Sequence, residues 1–94
     1  MPNKLTPDKR KTVQRVQTGI RIEKRMLKVL KGLAEYLDMT LGDLVEGIVL
    51  HAFEDSTPFS PETLTRIALL KELYGLDLTA KDSHRLVEDD GEQH

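Results

Sequence analysis

The chain of 94 residues contains no cysteine, which excludes disulfides and cysteine-based zinc sites and leaves nothing that argues for an oxidising compartment. No apolar run approaches the roughly 20 residues a membrane-spanning helix needs, and the first residues have no hydrophobic signal-like region. A cytoplasmic location without a membrane partner is the expectation. Glycine-rich phosphate loops and serine or cysteine triad patterns are missing as well. His51, His84 and His94 are scattered, and His51 with Asp55 one turn later makes at most half a metal site. No enzyme activity, metal or cofactor is expected. A chain this short has little room for a private core, so oligomerisation is a natural way to add buried area.

What the chain does have is charge, unevenly placed. The formal net charge of -2 hides ten basic against two acidic residues over positions 1–31, a net of +8. The remainder holds four basic against fourteen acidic residues, a net of -10. A basic front and an acidic back imply that the front meets a polyanion and the back does not.

Between the two prolines of the basic stretch 1–12 and the first helical pattern lies VQRVQTGIRI, residues 13–22. Val16, Thr18, Ile20 and Ile22 alternate with Arg15, Gln17, Gly19 and Arg21, a period of two that predicts a strand with one apolar and one polar face. Gly19 speaks against a helix there. A lone strand has no partner within its own chain, and its backbone donors and acceptors need one. The economical solution is an antiparallel ribbon made by two copies, hence a homodimer, with Val16, Thr18, Ile20 and Ile22 turned into the dimer core.

The rest reads as helical. Residues 1–12 are expected to form a flexible basic arm. Apolar residues at Met26, Leu27, Leu30, Leu33, Ala34 and Leu37 place a helix over 23–37, with Lys24, Lys28 and Lys31 on its other side. Thr40 is a cap with Asp43 in a capping-box position, opening a second helix to about Glu54 that buries Leu44, Val45, Ile48, Val49, Ala52 and Phe53. Ser60, Pro61 and Glu62 start a third helix that Gly75 stops, and Thr79 caps a short last helix expected over 80–87. The tail EDDGEQH, 88–94, is acidic and is expected to be disordered. The domains are thus 1–12, the strand-helix-helix unit 13–55, a C-terminal helical extension 56–87 and the tail.

The order strand, helix, short turn, helix over Gln17 to Phe53 resembles the ribbon-helix-helix (Arc- and methionine-repressor-like) family of DNA-binding proteins, most closely in its phage repressor pattern. The resemblance rests on the alternating Gln17, Gly19 and Arg21, on Ile20 and Ile22, on the Leu27/Leu30/Leu33/Ala34 stripe and on the Thr40 cap. It implies a mainly α, ribbon-helix-helix fold and a homodimer whose paired ribbon enters the major groove of double-stranded DNA at a two-fold symmetric site. On that reading Arg21 pairs with guanine and Gln17 with adenine, with Arg15 and Gly19 also on the reading face. Gly19 departs from the pattern, because the middle reading position usually carries a polar side chain; it brings the strand closer to the base edges, lowers discrimination there, or marks a bulge.

The resemblance likewise implies a phosphate clamp at Thr40, Leu41 and Gly42, where a helix N-terminus attracts an anion. Lys9, Arg10, Lys11 and Lys24 join it as phosphate contacts. Met39, Leu44 and Ile48 stand where a phage member has a buried ionic triad, so Leu44 and Ile48 belong to an uninterrupted apolar dimer core. The function implied is transcriptional regulation, most simply repression, with dimers able to assemble further on DNA. Two alternatives remain open: an antitoxin whose residues 60–87 bind a toxin protein, and a dimeric interaction scaffold without DNA.

Overall fold

A computed structural model describes residues 10–88. It has three α-helices, α1 (Lys24–Leu37), α2 (Leu41–Phe53) and α3 (Pro61–Tyr74), followed by one 3-10 turn at Ala80–Asp82. Among the described residues there is no β-strand, so the ribbon-helix-helix expectation does not hold. Residues 13–22 form no regular secondary structure, and every one of them is exposed, Val16 to 84% and Ile20 to 77%. The physical reason is the one that required a partner in the first place. A single segment has no neighbouring backbone in its own chain to form a ladder, so its donors and acceptors face solvent. Most of the arm 1–12 and all but Glu88 of the tail 88–94 lie outside the described residues.

Thr40, Ser60 and Gly75 act at helix ends as their sequence positions predict, whereas Glu23, expected inside the first helix, caps it. Glu23 caps α1, its carboxylate accepting the Met26 amide at 2.8 Å, and Asp38 ends it in a left-handed conformation, φ 59°. Aspartate is among the few residues that tolerate this region. Thr40 Oγ1 accepts the Asp43 amide at 3.0 Å to open α2. Ser60 accepts the Thr63 amide at 3.2 Å in front of Pro61, and Gly75, φ 68°, closes α3 with Leu76 N–H donating to the Lys71 carbonyl at 2.8 Å. That six-to-one bond behind a left-handed glycine is a Schellman stop.

The expected last helix over 80–87 shortens to its capping box. Thr79 and Asp82 exchange the two bonds of the box, but His84 takes a positive φ of 67° and ends the turn. Val87 is 91% exposed. With no apolar face to dock, so short a segment lacks the tertiary support that helices of this length depend on.

The core is small, and α1 is its centre. Leu33, Ala34 and Leu44 are buried, and Leu30, Leu37, Ile48, Phe59, Ile67 and Leu70 pack around them. α1 packs against both α2 and α3. Val29 is also buried, although it falls outside the apolar stripe of the sequence pattern. Gly32 faces α3: a Cβ there would stand 3.0 Å from Leu70 Cδ2. Polar side chains tie the same pair of helices, with the Arg66 guanidinium 4.5 Å from the centre of the Tyr36 ring and Lys28 Nζ 5.7 Å from that of Tyr74.

Leu33→Ala should lower stability by about 2–5 kcal/mol, the cost of truncating a buried leucine. Gly32→Val should cost about 1–3 kcal/mol by overpacking against Leu70. Urea unfolding followed by circular dichroism checks both, and a Gly32→Val variant as stable as the parent would show that α3 does not sit on α1 in this way.

Candidate nucleic-acid interface

The basic stretch of the sequence becomes two structural parts, the irregular segment up to Ile22 and the first half of α1. Within the irregular segment Arg10, Lys11, Gln17 and Gly19 are exposed, and nothing lies within 4 Å of the space a Cβ on Gly19 would fill. Lys9 falls outside the described residues. Thr18, Val16, Ile20 and Ile22, assigned to a dimer core, are exposed in the single chain. Leu44 is buried and Ile48 half-buried, and both face the chain's own core.

The arginines have partners. Arg15 donates from Nε and Nη2 to the two carboxylate oxygens of Glu46, each at 2.8 Å, a bidentate fork. Its Nη2 also stands 3.8 Å from Asp43 Oδ1. The hydrogen bond from Arg15 and its charge hold the Glu46 carboxyl below the ordinary carboxylate range. Arg21 is ion-paired with Glu88, at the far end of the described chain. Arg25 donates to Glu23 at 2.9 Å, to the Gly75 carbonyl at 2.9 Å and to Asp77 at 3.1 Å. Its role is therefore structural: it ties the start of α1 to the end of α3.

These pairings were not recoverable from spacing. The partners of Arg15 and Arg21 lie 31 and 67 positions away. The signal that pointed to them was the surplus of carboxylates in the back half, which makes intramolecular neutralisation of the front half available.

At the start of α2, Thr40 caps the helix and Leu41 and Gly42 present the first-turn amides. Asp43 and Glu46 share this end with Arg15. An anion approaching the amides therefore meets two carboxylates as well as one guanidinium, which weakens the electrostatic case for a phosphate clamp. His51 Nδ1 lies 2.7 Å from the Gly47 carbonyl within its own helix, which suits the tautomer protonated at Nδ1. Among the described residues no group of three or more potential metal ligands comes together, and no helix is long and apolar enough to cross a membrane.

The lysines of α1 form a different environment. Lys24, Lys28 and Lys31 are exposed and line, with Leu27, Gly32 and Tyr74, a shallow groove of about 460 Å³ between α1 and the end of α3. Comparison with protein-family models, with curated proteins and with solved structures finds no match to this chain.

The Glu23 carboxyl is held below the ordinary glutamate range, first by the Met26 amide and then by Arg25. A carboxylate with a depressed folded pKa contributes stability that is fully present above its unfolded value, about 4.3, and is lost as the pH falls through the folded value. Glu23→Ala should therefore lower the melting temperature at neutral pH and make the decline below about pH 4 shallower. Thermal melts from pH 2 to 7 measure this, and equal melting temperatures for variant and parent at pH 7 would mean that the cap adds nothing.

Proposed function

We propose that this chain is a homodimeric, sequence-specific DNA-binding regulator of transcription, most simply a repressor. The observation that carries the reading is the segregation of charge, +8 over residues 1–31 against -10 over the rest. The exposed irregular segment from Arg10 to Ile22 leads into the lysine-bearing face of α1. Positive potential on one end of a small domain supplies the sequence-independent part of DNA affinity, and exposed Gln17 and Arg21 are side chains suited to base edges. The ion pair that occupies Arg21 is exposed at both partners, and such pairs are weak enough for DNA to compete with them.

The dimer has its own support. The outer side of α2 carries Val49, Leu50 and Phe53, with Phe53 80% exposed, and Met39, in the turn before the other end of the helix, is also exposed. A second copy covering these side chains removes an apolar surface that a soluble monomer would otherwise leave in water. Two-fold symmetry of the protein then calls for a two-fold symmetric site on the DNA. The alternative of a toxin-binding antitoxin finds support in the exposed Leu69 and Leu73 on α3, a surface fit for a second protein.

Sedimentation should give a dimer, and the unfolding midpoint should rise with protein concentration. With a site selected from a randomised duplex pool, Arg21→Ala should reduce affinity by roughly 1–3 kcal/mol for each bidentate arginine–guanine pair it removes and leave binding to a scrambled duplex nearly unchanged. Replacing Lys9, Arg10 and Lys11 together by alanine should weaken both duplexes alike and flatten the salt dependence. Absence of binding to any duplex at low salt would sink the reading.

A further inference from the structure

The cations of the front half are not equivalent once the chain is folded. Arg15 is held by Glu46, Arg21 by Glu88, and Arg25 by Glu23 and Asp77. Lys24, Lys28 and Lys31 differ, as do Arg10 and Lys11 before the first helix: among the described residues no ion pair involves any of them, and only the three lysines share a helix face. Positions i, i+4 and i+7 fall on one face of a helix, so the three ammonium groups form a row along about 10 Å of the α1 axis. Glu35 is the next residue on that face and marks its acidic end.

The row lies along a groove rather than on a bare convex helix. Leu27 and Gly32 are its half-buried floor on α1, and Tyr74 closes it from α3. Gly32 matters twice over, because its missing side chain lets Leu70 approach and so brings the end of α3, with Tyr74, against the lysines. The Tyr74 ring beside Lys28 gives that lysine an apolar surface to lie along.

We infer that the Lys24, Lys28 and Lys31 row is the principal contact of this protein with the phosphate backbone of duplex DNA, in place of the carboxylate-paired Arg15 and Arg21. The inference rests on the DNA-binding reading and assigns its backbone contact. Duplex DNA carries one phosphate per 3.4 Å along each strand, so a row of about 10 Å faces about three phosphates. Lysine acts as a point charge and needs no fixed geometry, which suits backbone contact without sequence preference. Arg15, Arg21 and Arg25 contribute less to the salt-dependent part of binding, because each must first be released from a carboxylate.

The test is a titration of a mixed-sequence duplex at several salt concentrations, with three full-length proteins beside the parent. In the first, Lys24, Lys28 and Lys31 are all replaced by glutamine. In the second the same three are replaced by arginine, and in the third Arg15 and Arg21 are replaced by glutamine. Glutamine and arginine propagate helices about as well as lysine, and circular dichroism verifies that each variant is folded. The slope of log affinity against log salt should become shallower by about 2 to 3 for each protomer bound, about 5 for the dimer, in the lysine-to-glutamine protein. It should return to the parental value in the lysine-to-arginine protein and change by less than one in the third. An unchanged slope in the lysine-to-glutamine protein, with the parent binding normally, overturns the assignment while leaving DNA binding intact. Equal losses with glutamine and arginine overturn it too, since charge would then not be the cause. If the parent itself binds no duplex at low salt, the DNA reading fails and the assignment fails with it.

Discussion

The burial of Leu33 and Ala34 on α1 against Leu44 of α2 is the contact on which the other features depend. α1 is the one helix that touches both of the others. It must therefore present apolar side chains in two directions, toward α2 and toward α3, and keep a third for solvent. Leu33 sits at the meeting point and is 2% exposed. Gly32, one residue earlier, permits the close approach of Leu70 that sets the depth of α3. The groove beside the α1 lysines exists because this packing leaves Tyr74 opposite them.

A second layer of organisation is electrostatic: among the described residues Arg15, Arg21 and Arg25 are paired with carboxylates, whereas Lys24, Lys28 and Lys31 are not. Guanidinium groups offer a planar fork that matches a carboxylate. Arg15 with Glu46 is the clearest instance, and Arg25 adds a backbone carbonyl to its carboxylates. Exposed pairs of this kind add little to stability. Their effect is on availability, since a cation already facing a carboxylate is less open to a polyanion than one facing water.

Four buried apolar residues among those described are few for three helices, and α2 shows the consequence. Leu44 and Ile48 turn inward, whereas Val49, Leu50 and Phe53 are exposed on the other side. Helices that are apolar nearly all round belong in the interior of something larger. α3 has a milder form of the same property in Leu69 and Leu73. The fold of one chain thus leaves surfaces suited to association, and a small domain with limited interior area is expected to use them.

Helix positions were legible in the chain because their ends are local. Thr40 and Ser60 reach amides only three residues away, and Gly75 stops α3 through its own backbone freedom. The apolar spacing around Leu30, Leu33, Ala34 and Leu37 likewise named the central face of α1, since period is a property of neighbours along the chain. Three features were not legible. Alternation over 13–22 has the period of a strand, but a strand exists only with a ladder partner, and the single chain supplies none. Capping chemistry at Thr79 started a turn without sustaining a helix, because nothing receives an apolar face beyond Asp82. The candidate site was legible as a basic stretch, yet which of its cations stay unpaired depends on contacts between residues as distant as Arg21 and Glu88. Local chemistry is written in the order of residues, whereas the pairing of charges and the burial of Val29 wait on which surfaces the packed helices bring together.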